Sequence, residues 1–227
     1  MIKDNKDKIY STSHYSFFEK IILNKRKEIL LKLKEFLNDK MINDVLDVGS
    51  TEDEDNKSSN YIIKNLGNYI NYRSISNQTI NSNFFNKVLK KSITGDFVEN
   101  EIKNFQSDLV ISNATIEHVG SFENQKKMCI NIMNLSKKYF IIITPNRFHP
   151  IEFHSKLPFI HWLPKKIHRT LLNLIGLKFL SKEENLNLLS ISNLNLLMKE
   201  INFKNYEIKK ISFLFFTSNY IIIGKKI

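Results

Sequence analysis

A chain of 227 residues, 42% hydrophobic and 25% charged, has the composition of a globular protein and the length to bury one sizeable core. No apolar run approaches the roughly 18 residues that span a bilayer, and the polar first 14 residues lack the apolar core of a secretory signal. The single cysteine, Cys129, excludes an intrachain disulfide and fits a reducing cytoplasm, while a net charge of +11 is spread over scattered lysines that form no basic block. A nucleic-acid partner is therefore disfavoured, and weak attraction to an anionic membrane surface ranks above it.

Residues 1–14 are expected to be disordered, with Ser16 and Glu19 forming a capping box before a long helix. Phe18, Ile21, Ile22, Ile29, Leu33, Phe36 and Leu37 recur at near-helical spacing and predict a face packed on a sheet. The rest of the chain is organised around the segment 42–52. Its short run Val45-Leu46-Asp47-Val48 stops at Gly49 and reads as a buried strand of a parallel sheet. Open α/β sheets bind ligands at the carboxyl ends of such strands. Asp47 is a carboxylate that is costly to bury without a partner. It is either an anchor for a partly cationic ligand or an acid that ties down its own loop through backbone N–H groups.

A short helix over 61–66 and a second strand over 69–75, ending near Ser76 and Asn77, come next. Residues 79–91 read as a connection with weak helix, and 93–95 as a short third strand ending at Asp96. SDLVISN, 107–113, is the clearest strand of the middle region, followed by a helix over 122–135 and a fifth strand over 140–144 stopped by Pro145. All four prolines and three of the six histidines lie between 145 and 164, which predicts a shaped lid reaching to residue 180. Residues 167–180 can form an amphipathic helix with a basic flank, and Ser181 with Glu184 suggests a cap for a helix continuing over 186–201. The runs 206–216 and 220–225, joined by 217–219, predict an antiparallel hairpin. Strands alternating with helices argue for one α/β domain, 1–227, built on a doubly wound, mostly parallel sheet of seven strands with helices on both faces.

Several motifs carry a resemblance. VLDVG, 45–49, looks like the first motif of class I S-adenosylmethionine-dependent methyltransferases. SDLVISNATIEHV, 107–119, is similar to the fourth-strand motif of their small-molecule branch, methyltransferase type 11-like. TPNR, 144–147, with PIEFH, 150–154, and LPFIHWLP, 157–164, resembles a subgroup linked to bacterial surface-glycan or lipid biosynthesis. The resemblance spans 42–224. It implies a Rossmann-like fold, S-adenosyl-L-methionine as cofactor, and methyl transfer to an oxygen or nitrogen of a small molecule, glycan or lipid-linked glycan. It also implies cofactor contacts from Asp47, Gly49 and Ser50, from Asn77 at the ribose, from Asp96 at the adenine amine, and from Asn113 and Ala114 beside the methyl group. Two positions depart from the pattern: Ser50-Thr51-Glu52 replaces the remaining glycines of the turn, and Ser76-Asn77 stands where an acid normally binds the ribose hydroxyls.

His118 is the candidate general base, since its unperturbed pKa lies near neutrality; the competing reading is a histidine that hydrogen-bonds the cofactor loop. A sulfonium is a good leaving group, so positioning and water exclusion can supply much of the rate. Arg147, His149, Glu152 and His154 are expected to wall the substrate pocket, with Arg147 available to an acidic or phosphorylated group. The spacing His-x-x-Glu-x-His matches no metal mechanism, and no metal is expected. Trp162 with Phe159 either closes the pocket or anchors the lid. Residues 157–180, with Lys165, Lys166, His168 and Arg169, read either as a lid packed on the core or as a peripheral contact with the inner membrane face. The alternatives are a degenerate, non-catalytic scaffold of the same fold and an RNA methyltransferase. Oligomeric state is not encoded in any motif.

Overall fold

A computed structural model of the protein describes residues 17–52, 57–81 and 83–226. The expected disorder over 1–14 and the Ser16 half of the first capping box lie outside them. Helix α1 (Phe17–Leu37) leads into β1 (Asp44–Val48), α2 (Tyr61–Asn65), β2 (Asn71–Ser76), β3 (Lys87–Lys90), α3 (Glu99–Phe105) and β4 (Ser107–Asn113). Then come α4 (Phe122–Leu135), β5 (Ser136–Pro145), α5 (Lys165–Leu174), α6 (Ile191–Glu200), β6 (Tyr206–Phe213) and β7 (Phe216–Lys225). The strands form one seven-stranded sheet in the order β3-β2-β1-β4-β5-β7-β6. Five run parallel, and β7 pairs antiparallel with both β5 and β6.

Alternation along the central strands feeds two cores. Val45, Leu109, Ile111, Ile141 and Ile221 face one side, where Ile29, Leu30, Leu33 and Leu37 of α1 cover them together with Ile62 and Ile63 of α2. Leu46, Val48, Val110, Phe140, Ile142 and Ile222 face the other, against Met128, Cys129 and Ile132 of α4 and Leu194, Leu197 and Met198 of α6. Each such fully buried aliphatic side chain stabilises the fold by roughly 1.5–3 kcal/mol. The expected packing face of α1 divides in two. Ile29, Leu33 and Leu37 reach the core, but Ile21 and Ile22 line a cavity at the carboxyl edge of the sheet.

Three boundaries differ from the sequence expectation. The third strand is Lys87–Lys90, inside the segment read as a connection, while 92–95 close a turn through Gly95 N–H to the Ser92 carbonyl at 3.0 Å. As an edge strand with lysine at both ends it lacks the apolar alternation that marks a buried one. The hairpin turns at Leu214 and Phe215, both with positive φ (49° and 68°), so 217–219 lie within β7. A two-residue turn of this kind normally carries Asn or Gly, and neither was present to announce it. The last helix starts at Ile191, capped by Ser190 and Asn193, whereas Ser181 and Glu184 cap no helix. Residues 186–188 take no regular structure instead, and Leu189 bridges Asn146. Likewise α5 ends at Leu174, and Gly176 follows it with φ 87°. No helix among the described residues is long and apolar enough to cross a membrane.

Candidate active site

Asp47 sits one residue before the end of β1, flanked in register by Ser74 of β2 and Ile111 of β4. Its carboxylate is 7% exposed and accepts a hydrogen bond from Ser50 Oγ, which in turn accepts one from Ser74 Oγ at 2.8 Å. Burial pushes its pKa up to about 6, the Ser50 hydroxyl opposing this only in part. No charged neighbour contributes to that shift, so among the described residues the buried carboxylate has no cationic partner.

The turn after β1 is held by side chains. Gly49 takes φ 96°, and a Cβ there would overlap the Thr115 side chain, so only glycine fits. Beyond it, Ser76 Oγ donates to the Ser50 carbonyl at 2.7 Å. Asn60 clasps Thr51 from both sides: its Oδ1 accepts Thr51 N–H at 3.0 Å and its Nδ2 donates to the Thr51 carbonyl at 2.8 Å. Gln78 Oε1 accepts Glu52 N–H at 3.0 Å. Strand β4 ends at Asn113, and Ala114 follows with φ 53°, a left-handed conformation strained for a residue with a Cβ.

These elements enclose a cavity of about 490 Å³, the size of a small-molecule site, at the carboxyl ends of β1, β2 and β4. Asp47, Gly49, Ser50, Asn77, Asn113, Ala114 and His118 all line it. Asp96 does not. It lies exposed six residues past β3, and Lys91 to Thr94 line the cavity in its place. Sequence reasoning missed Gln78, Asn60 and the stretch of α1 carrying Lys25 and Arg26, all of which line the cavity. Arg26 alternates with the apolar positions of an amphipathic helix and reads there as a solvated residue. Burial lowers its pKa to about 10, opposed by the negative charge of Glu117.

Of the four residues expected to wall the substrate pocket, only His154 reaches the cavity. Arg147 is fastened to the lid, its Nε donating to the His161 carbonyl at 3.2 Å and its Nη2 to the Leu163 carbonyl at 2.8 Å. His149 is buried and packs against Phe153 and Phe213, which also touch each other. Glu152 is buried behind His154 and accepts from its Nδ1 at 2.6 Å, from its backbone N–H at 2.8 Å and from Ser155 N–H at 2.5 Å. Phe159 and Trp162 pack edge to face on the surface and do not line the cavity.

His118 and His154 meet at 3.1 Å between their Nε2 atoms. His118 Nδ1 donates to the Asn185 carbonyl at 2.6 Å, so its Nε2 is the acceptor, and His154 donates from both ring nitrogens. Burial and then the charge of His154 push His118 down to about 3. Burial acts against charge on His154 too, but the charge and hydrogen bond of Glu152, with the charge of Glu117, together outweigh it and raise the pKa. For Glu152, burial is overcome by the His154 charge and the three hydrogen bonds, leaving it at about 2. A free general base is therefore not what His118 presents: its lone pair is already occupied.

No protein-family model matches the chain, and neither does any curated protein sequence. Its strand order and the similar solved structures define the fold as that of class I S-adenosylmethionine-dependent methyltransferases. The chain is similar to magnesium protoporphyrin IX methyltransferase from Synechocystis with bound SAH, at 12% identity and TM-score 0.57, over 98% of this chain and 93% of that one. It is similar to the N-methyltransferase NodS from Bradyrhizobium japonicum in complex with S-adenosyl-L-homocysteine, at 8% identity and TM-score 0.55, over 98% of both chains. A third similar structure is 1,6-didemethyltoxoflavin-N1-methyltransferase from Burkholderia thailandensis, at 10% identity and TM-score 0.54, over 90% of this chain and 79% of that one.

Proposed function

We propose that the chain transfers the methyl group of S-adenosylmethionine to an oxygen or nitrogen of a small molecule, a glycan or a lipid-linked glycan. The observation that carries this is the buried carboxylate of Asp47, without a cationic partner among the described residues, in a cavity at the strand ends. A carboxylate there suits the ammonium end of the cofactor, and the similar solved structures that hold SAH support the assignment. Asn77 and Gln78 offer amides to the ribose hydroxyls in place of the usual acid. The cofactor, when bound, supplies a methyl group activated by a good leaving group. Asn113 and Ala114 set the backbone beside the reacting centre, while Ile21, Ile22 and Arg26 of α1 cover it and exclude water. Titration calorimetry with S-adenosylhomocysteine tests the reading. Absence of binding, or unchanged affinity in Asp47→Ala, would leave the degenerate scaffold as the better account.

A second element concerns the lid over 145–180. Phe159, Trp162, Leu163, Ile167, Leu174 and Ile175 are exposed apolar side chains on or beside α5, next to the basic Lys166 and Arg169. This arrangement supports docking on an anionic membrane, where a lipid-linked acceptor would reside. Cosedimentation with anionic vesicles that neutral vesicles do not match, lost in an Ile167→Glu/Leu174→Glu variant, is the expected result. Equal sedimentation with both would remove the membrane from the proposal and leave methyl transfer intact.

A further inference from the structure

We infer that Glu117, His118 and His154 form a binding site for a first-row divalent cation on the wall of the cavity. One donor atom from each residue lies within 4.8 Å of the other two. The two imidazole Nε2 atoms, 3.1 Å apart, already stand near the spacing of about 3.3 Å that two nitrogens take on one tetrahedral zinc with bonds of roughly 2.0–2.1 Å. Glu117 Oε1 is fully buried, has no hydrogen-bond partner among the described residues and lies 3.9 Å from His118 Nε2. A buried carboxylate oxygen left unsatisfied is costly. Here it lies beside the His118–His154 pair.

The atoms behind these donors are already fixed, as ligands of a metal require. His118 Nδ1 is tied to the Asn185 carbonyl and His154 Nδ1 to the Glu152 carboxylate, each at 2.6 Å, so the two Nε2 atoms are turned toward each other. Glu117 Oε2 is held by the Thr144 hydroxyl at 3.0 Å. The spacing His149-x-x-Glu152-x-His154 therefore yields no site of its own. Its last residue instead joins two neighbours from the turn after β4, and its glutamate serves from behind.

Two imidazoles and one carboxylate suit zinc, iron, cobalt or nickel better than magnesium or calcium, which take oxygen ligands. On binding, the N–H···N contact between the histidines gives way to two metal bonds, and one proton leaves. The three side chains all line the cavity, so an acceptor hydroxyl or amine can take an open coordination position and lose its proton more readily. That last role rests on the methyl-transfer reading; the site itself does not. Arg26 faces Glu117 from α1 and opposes a second positive charge there.

The test uses the full-length, metal-depleted protein without cofactor. Calorimetry with zinc chloride should give one equivalent bound, weakened at least about 100-fold in His154→Ala and roughly 10- to 100-fold in Glu117→Gln, and tightened in Arg26→Gln. Cobalt in place of zinc should give the visible absorption of a low-coordinate site, lost in His118→Ala. Circular dichroism confirms that each variant is folded. Failure of the wild type to bind, or binding that none of the variants alters, overturns the inference. S-adenosylhomocysteine titrated in parallel keeps the questions apart: zinc binding without it sinks the methyltransferase reading alone, and its binding without zinc sinks the metal site alone.

Discussion

Replacing Asp47 by asparagine is expected to stabilise the protein and weaken its cofactor binding at once. Burial raises the carboxyl from its ordinary 3.8 to about 6, so between those values the folded chain holds a proton that the unfolded chain has released. The neutral carboxyl thus contributes stability that is fully present below the unfolded pKa and is lost as pH rises through about 6. At 1.36 kcal/mol per pKa unit, a shift of about two units costs the folded state roughly 3 kcal/mol at pH 8. Asparagine keeps the shape and can still accept the Ser50 hydroxyl, but carries no charge to desolvate. Asp47→Asn should therefore exceed the wild type by about 1–3 kcal/mol at pH 8, with the difference shrinking towards zero near pH 4. Urea unfolding of both proteins across this range reads the difference directly, since other titrating groups cancel. The same substitution should weaken S-adenosylhomocysteine roughly 10- to 100-fold, the loss of about 1.5–3 kcal/mol for a hydrogen bond to a charged group. A stability difference that is flat with pH, together with unchanged affinity, would refute both the desolvation of Asp47 and its role as anchor.

Gly49→Ala should destabilise by about 2–5 kcal/mol, combining a left-handed backbone with overlap onto Thr115. Adding Thr115→Ala should recover the overlap but not the backbone strain, as urea midpoints will show. Asn60→Ala removes both clasping hydrogen bonds and should cost about 1–2 kcal/mol, with faster amide exchange at Ser50 to Glu52 as its signature. Cys129 is fully buried with its thiol pushed up to about 12 by desolvation, so it should resist thiol reagents in the native protein and react only on unfolding. Modification at the rate of a free thiol would contradict the packing of α4 on the sheet.

The elements legible from sequence are central strands buried on both faces and a helix with one continuous apolar face. β1, β4 and α4 fall where the apolar runs place them, with β4 at Ser107–Asn113 and α4 at Phe122–Leu135. The edge strand β3 and the Leu214-Phe215 turn were hidden because one is solvated and the other uses residues that turn rules do not expect. Asp47, Gly49, Ser50, Asn113 and Ala114 line the cavity as expected from the sequence because motif and strand end coincide there. Asp96 was misplaced by the same error that misplaced β3. In the lid no periodicity exists to say which side chains face in, so Arg147, His149 and Glu152 could be separated from His154 only in three dimensions. Arg26 belongs to a similar class, since a basic residue on an amphipathic helix reads as exposed until something covers it.

The altered turn after β1 bears on whether this fold binds its cofactor or has lost it. A glycine-rich turn leaves backbone free to approach a ligand, at the cost of ordering a flexible segment. Here Asn60, Ser76 and Gln78 order Ser50 to Glu52 through hydrogen bonds, so the segment is fixed before any ligand arrives. That compensates for missing glycines without exposing the turn. A scaffold needs the ordered turn but has no use for Asp47, whose desolvation works against folding at neutral pH. A cationic ligand reverses that sign, because pairing the carboxylate offsets its burial and the binding energy is taken up at the strand end where the reacting group must sit. The buried carboxylate and the preordered turn together support the proposed cofactor site over the degenerate scaffold.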